Sequence, residues 1–213
     1  GFGPDTQQAQ GRPVSGPAPF GIEEAPLESL LGRVSKLFSF TGDTQVIPEI
    51  GHFALILCLA LSIVQGVVPL IGAAKGNRAL MAVARPAAIA NALFGTIAFG
   101  CLAYSFYVSD FSVLNVANNS NSMLPWYYKV AATWGSHEGS ILFWVVTLGW
   151  WSAAVAFSAK KLPAEMTARV TGVMGLVAMG FLTFMLFTSN PFLRLFPAPA
   201  EGADLDPLLQ DPG

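Results

Sequence analysis

Four stretches of this 213-residue chain carry no Asp, Glu, Lys or Arg: Ile50 to Ala74, Pro86 to Ser109, Gly139 to Ala159 and Val170 to Leu193. The shortest has 21 residues, and about 20 apolar residues cross a ~30 Å hydrocarbon core as an α-helix. Lipid offers no hydrogen bonds to a peptide group, so the backbone must pair with itself, and a helix does this within one segment. The alternation of a membrane barrel strand is missing from all four stretches. The chain is 53% hydrophobic and 11% charged, against roughly 25% charged residues in soluble domains. These features predict an all-α fold, a polytopic transmembrane helix bundle with four spanning helices at 50–74, 86–109, 139–159 and 170–193. Buried helices of a large soluble protein are the competing reading, and the shortage of charge argues against it.

The cations orient the bundle. Lys75, Arg78 and Arg85 fall in the first connection and Lys160, Lys161 and Arg169 in the third; together they are six of the 11 Lys and Arg. The second connection, Asp110 to Glu138, holds only Lys129, and Arg194 after the last stretch faces Glu201, Asp204, Asp206 and Asp211. Lys and Arg collect in short cytoplasmic loops, so the first and third connections are expected inside and the second outside, which in a Gram-negative bacterium is the periplasm. No basic patch suits nucleic acid, so membrane lipid is the expected surroundings.

The long second connection opens with "DFSVLNVANNSNS", whose Asn/Ser cluster reads as loop. In "LPWYYKVAATWG", Pro125 suits the first turn of a helix, and Trp126, Val130 and Trp134 recur on one helical face. A short helix lying in the membrane interface, with its rings at headgroup level, is the expected form. Cys58 and Cys101 each lie about eight residues from the outer end of a span, which predicts similar depth and a packing role. The chain has no CxxC, no CxxCH and no metal-ligand spacing.

"WGSHEGS", residues 134–140, places His137 and Glu138 between Gly135 and Gly139 at the mouth of the third span. One reading is a helix start, with Ser136 as cap and Glu138 near the positive helix end. The other is chemistry: His137 and Glu138 as catalytic candidates, with Trp134, Gly135 and His137 as candidates for cofactor binding. Were the helix continuous here, His137 and Glu138 would share Trp134's face at i+3 and i+4. His52, the other histidine, sits just inside the first span and reads as an interfacial residue. The residues themselves leave both readings of the His-Glu pair open.

From residue 46 on, the chain resembles the CcmF/NrfE family of cytochrome c maturation proteins, the haem lyases. The resemblance rests on "IPEIGHFALILCLALSIVQGVVPLIGAAKGN", "VSDFSVLNVANNSNSMLPWYYKVAATWGSHEGSILFWV", "SNPFLRL" and "LDPLLQDPG". It implies a bacterial inner-membrane protein that takes haem from the chaperone CcmE. With CcmH-type thiol-handling partners, it joins that haem to the thiols of apocytochrome c. It also implies that residues 46–213 are the amino-terminal part of the lyase domain. The family's tryptophan-rich segment and haem-ligating histidines would then lie past Gly213, and no haem ligand or attachment activity is expected of this stretch alone. Residues 1–45 depart from the family. The Gly/Pro/Gln-rich beginning predicts disorder, and Leu27, Leu30, Leu31, Val34 and Phe38 predict an amphipathic helix near 26–40. Because the family commonly begins Met-Ile-Pro-Glu, Val46 is expected to mark the native start and the preceding residues a non-native extension. The alternative to a lyase part is a transporter or scaffold subunit in which His137 and Glu138 line a proton or substrate path.

Overall fold

The computed structural model describes residues 46–158 and 162–203. The disorder and amphipathic helix expected for residues 1–45, and Lys160 and Lys161, lie outside the described residues. Within them the chain forms α1 (Val46–Lys75), α2 (Arg78–Ala82), α3 (Ala84–Tyr107), α4 (Leu114–Asn119), α5 (Trp126–Gly135), α6 (His137–Ser158) and α7 (Ala164–Thr188). Four of these segments are long and apolar enough to cross a membrane: Val46–Lys75, Arg78–Tyr107, His137–Ser158 and Ala164–Thr188.

The helices outrun the charge-free stretches where ends are polar but still good helix formers. Charged residues end a hydrophobic window without ending a helix. α1 starts at Val46 with Pro48 and Glu49 in its first turn, where a missing N–H and a negative charge are both tolerated. It stops at Gly76, whose φ of 65° lets the Asn77 amide turn back onto the Gly72 carbonyl at 2.9 Å. Asn77 then caps α2, its Oδ1 accepting from the Ala79 amide at 3.0 Å. At the far end, α7 stops at Thr188, five residues short of the Leu193 boundary expected from charge alone. Asn190 precedes Pro191, and the residue before proline is pushed out of the α region. The second span likewise ends at Tyr107, not Ser109. The loop expected at "DFSVLNVANNSNS" is a short helix, α4, for half its length; buried Asn115, Val116 and Ala117 hold it to the bundle against its weak local preference.

The four long helices run antiparallel to one another in chain order. α1 packs on α3 and α7, and α6 closes the ring by packing on the same two. α1 and α7 meet through small residues: a Cβ on Gly175 would lie 2.7 Å from the Gly66 amide nitrogen. Small residues let backbones approach in membranes, where burial of apolar surface gives no drive for helix association. At mid-bundle, Gln65 joins three other helices. Its amide donates to Ser152 Oγ at 2.7 Å and to the Thr171 carbonyl at 2.9 Å, and its Oε1 accepts from Asn91 at 3.3 Å. All four residues are buried.

The cysteines are not at one depth. Gly51 faces Cys101, whereas Cys58 lies against Asn91 and Gly95. Antiparallel pairing therefore sets Cys58 about seven residues, or ~10 Å, deeper along the helix. Both are free, and Cys58 belongs to the core, in keeping with packing.

Candidate functional site

The start of α1, the end of α3, the start of α6 and the end of α7 come together under the second connection. Leu55, Leu102, Phe106, Leu142, Leu182 and Met185 fill the span ends, and Val113, Val116, Ala132 and Phe192 continue that core into the overlying layer. α5 rests on α3 and α6, burying Ala132 and Thr133 while Trp126, Tyr127 and Trp134 face outward. This matches an amphipathic helix whose exposed rings suit headgroup level.

WGSHEGS is a corner between two helices. Ser136 is extended (φ −76°, ψ 153°), so α5 ends at Gly135 and α6 begins at His137. Ser136 caps α6: its Oγ accepts from the Gly139 amide at 3.1 Å and its carbonyl from the Ser140 amide at 2.8 Å. Such a cap is worth about 0.5–2 kcal/mol. Glu138 lies in the first turn of α6, where its charge favours the positive helix end. The helix-start reading thus describes the backbone. The alternative geometry, Trp134 sharing a face with His137 and Glu138, does not arise, because they sit on different helices. Gly139 is fixed by the corner, since any Cβ would run into the Thr133 carbonyl oxygen. Gly135 is the last residue of α5 and is half-buried.

The tertiary structure adds what the local sequence lacks. His137 Nδ1 lies 3.2 Å from Ser189 Oγ, and His52 Nδ1 lies 3.2 Å from Asn190 Nδ2. The two histidines are 85 positions apart in sequence, yet both are held by consecutive residues just past α7. Asn190 is itself fixed, because its Oδ1 accepts from the Phe192 amide at 3.0 Å.

Beyond Asn190 the chain forms a strap across the second connection. Leu114 N–H donates to the Leu193 carbonyl and Leu195 N–H to the Ser112 carbonyl, each at 2.8 Å. Arg194 reaches Glu49 Oε1 at 3.0 Å and Asp110 Oδ2 at 3.4 Å and also donates to Ser112 Oγ. Arg194 and Asp110 keep only 15% and 13% of their side-chain surface exposed, while Glu49 is 63% exposed. Further on, Glu201 accepts from the Ser122 hydroxyl at 2.6 Å and amide at 2.8 Å, and these bonds hold its carboxyl below the usual range.

Haem iron is commonly held by imidazole nitrogen, so the two histidines can be tested for fit. His137 is exposed, with one ring nitrogen engaged by Ser189, and fits a single nitrogen ligand. His52 likewise has one ring nitrogen engaged, its Nδ1 facing the Asn190 amide nitrogen.

Sequence reasoning placed His137 and Glu138 but missed Ser189, Asn190, Asp110 and Arg194. Asn-Pro directly after a span was the signal for a turn at Asn190; nothing local signalled its pairing with His52.

The fold and its boundary site define a multi-pass helical membrane protein whose two histidines lie at one end of the bundle. Residues 134–213 match the family described as cytochrome C assembly protein. The chain is 55% identical over 169 residues to the cytochrome c-type biogenesis protein CcmF of Pseudomonas aeruginosa, covering 79% of this chain and 26% of that protein. It is 49% identical over 171 residues to CcmF of Escherichia coli K12, with the same coverage. To the cytochrome c-type biogenesis protein NrfE of Haemophilus influenzae it is 48% identical over 168 residues, again covering 79% and 26%. A solved structure described as cytochrome c heme lyase CcmF superposes with a TM-score of 0.65 at 25% identity, covering 68% of this chain and 24% of that one. The chain belongs to the CcmF/NrfE family of cytochrome c-type biogenesis proteins. It spans about a quarter of the length of the curated relatives it matches.

Proposed function

We propose that this chain is part of a bacterial inner-membrane protein that attaches haem covalently to apocytochrome c, with WGSHEGS on the periplasmic side. In this reading haem arrives from the chaperone CcmE, CcmH-type partners present the apocytochrome thiols, and residues 46–213 belong to the lyase domain. The observation that carries the reading is the gathering of His137, Glu138 and His52 at one end of a bundle whose relatives bear cytochrome c biogenesis names. Lys75, Arg78, Arg85 and Arg169 lie at the opposite end, which supports a periplasmic placement of the histidines. Haem, when bound, supplies the vinyl groups that accept the thiols. The chain's own residues offer an exposed imidazole held by Ser189 and a carboxylate in the same first turn of α6.

The transporter reading gains no support from the span interiors. The mid-depth cluster of Gln65, Asn91, Ser152 and Thr171 is neutral and internally satisfied, whereas proton and ion paths use ionisable groups there.

Complementation with the full-length protein tests the proposal. His137→Ala and Glu138→Gln should each lower covalent haem attachment while membrane levels of the protein stay normal. If Glu138 acted only as a helix-start charge, Glu138→Gln would cost about 0.3–1 kcal/mol and leave attachment intact. Normal cytochrome c assembly with both substitutions would return the pair to a purely structural role.

A further inference from the structure

We propose that the seam between α3 and α6, at the end of the bundle away from the histidines, seats an anionic phospholipid, with its phosphate on Arg85 and an acyl chain over Ala154 between Trp150 and Phe157. Such a lipid needs only a bundle that crosses a membrane, whatever the protein does with haem.

Among the described residues this end carries Lys75, Arg78, Arg85 and Arg169 against one carboxylate, Glu165. Arg169 takes that carboxylate at 2.6 Å. Lys75, Arg78 and Arg85 have no described carboxylate within ion-pair distance. Cations between two spans orient a bundle wherever they point, so exposed charge alone names no ligand. Arg85 differs because it is held. Its guanidinium lies over the Phe157 ring, 5.5 Å from the centroid, a cation–π contact. A guanidinium resting on a ring face keeps its N–H edges free, and a phosphate accepts from two of them at once. Phe157 is exposed and is the last but one residue of α6. The guanidinium therefore sits where the apolar face ends, at headgroup depth.

The seam itself supplies the apolar half. α3 and α6 approach closely at Ala92 and Gly149, where a Cβ on the glycine would lie 3.3 Å from the Ala92 Cα. Between there and the cationic end, Trp150, Ala154 and Phe157 follow at i, i+4 and i+7, so they share one face of α6, and all three are exposed. A methyl group between two large rings leaves a notch. Trp150 lies eight residues before the end of α6, ~12 Å along the helix, deeper than the headgroup belt that usually takes tryptophan. Its Nε1 donates to Thr96 Oγ1 at 2.9 Å, and Thr96 donates to the Ala92 carbonyl at 2.7 Å. The indole thus meets its polar need inside the protein, and its ring walls the seam within the hydrocarbon. From Arg85 to Trp150 the seam crosses most of one ~15 Å leaflet, with a cation at its mouth and apolar walls below. That is the order of groups along a phospholipid. Lys75 and Arg78, in the turn before Arg85, add positive field that favours an anionic over a zwitterionic headgroup.

Photo-crosslinking of the full-length protein tests this. Benzoylphenylalanine replaces Leu93, which is exposed on α3 one turn from Thr96. The protein is irradiated in vesicles of phosphatidylglycerol and phosphatidylcholine in equal amounts, and mass spectrometry gives the ratio of the two lipid adducts. A ratio is independent of how much protein each variant yields. The expected result is an excess of phosphatidylglycerol adducts. Arg85→Gln should lower the ratio about fivefold, the effect of one cation near an anionic surface. Arg85→Lys, which keeps the charge but loses the two-point grip, should fall between. Ala154→Trp fills the notch without touching any charge and should lower the ratio as well. Equal adducts in the unaltered protein would overturn the proposal. A ratio that falls with Arg85→Gln but not with Ala154→Trp would mark diffuse attraction to the basic end and overturn the seated lipid. Peptide adducts in place of lipid would show the seam covered by protein, with the same consequence.

Discussion

The outer layer and the mid-bundle knot are both polar, but they are built from different groups. In the outer layer, Arg194 binds Glu49 and Asp110, two histidines are held by Ser189 and Asn190, and partners come from up to 145 positions apart. At mid-depth, Gln65 ties Asn91, Ser152 and Thr171 with amide and hydroxyl groups alone. The depth explains the contrast. A charge at the bilayer centre is costly, while neutral hydrogen-bonding side chains can join helices there at modest gain. At the boundary, water and headgroups lower the cost of charge, so ionisable groups are tolerated there. The knot holds the spans together; the other layer carries the charged and imidazole groups.

The largest expected effect breaks the outer layer while sparing the middle. Gly139→Ala forces a methyl group into the Thr133 carbonyl and should cost about 1–3 kcal/mol or more through backbone movement. Gly180→Ala is the control, because open space surrounds that position. Thermal unfolding in detergent, together with protease cleavage after Lys129 within α5, should separate the two. Equal behaviour would mean that the corner yields easily and is not a rigid platform for His137.

A smaller effect compares the two regions on equal terms. Gln65→Leu leaves Asn91 and Ser152 without a partner, and Arg194→Gln leaves Asp110 without its cation. Each should cost about 1–3 kcal/mol, the penalty for stranding a buried polar group. Glu49→Gln should cost under about 1 kcal/mol, because that partner is exposed and screened. The salt dependence sharpens the contrast. Raising ionic strength should narrow the gap between Glu49→Gln and the unaltered protein and leave the Gln65→Leu deficit unchanged. A salt-sensitive Gln65→Leu deficit would contradict a neutral mid-bundle knot.

The smallest effect is a pH response confined to the strap. The Ser122 hydroxyl and amide hold the Glu201 carboxyl below its usual value of 4.5. A carboxyl with a lowered pKa contributes to the fold above its unfolded pKa, and the contribution fades as pH falls through the folded value. Hydrogen exchange at Ala203, whose amide donates to the Ala117 carbonyl at 2.6 Å, should therefore quicken relative to its intrinsic rate as pH falls below the usual carboxyl value and through the lowered one. Ser122→Ala should reduce this response, and His137 surroundings should not change with it.

The sequence by itself determined the four spans, their all-helical form, the corner cap at Ser136 and the family. These follow from local rules: charge-free length, backbone self-pairing in lipid, and the hydrogen bonds of one helix turn. It also exposed the candidate pair, because His137 and Glu138 stand out beside an apolar run. The tertiary structure alone decided which residues meet across helices. A span that is apolar on every side carries no stripe to say which face is turned inward, so nothing along the chain could pair Gln65 with Thr171 or offset Cys58 from Cys101. The same reason hid the contacts of Ser189 and Asn190. Their partners lie 52 and 138 positions away, and only the antiparallel register of α1, α6 and α7 brings both histidines to one end of the bundle and gives each a different hydrogen-bonding neighbour.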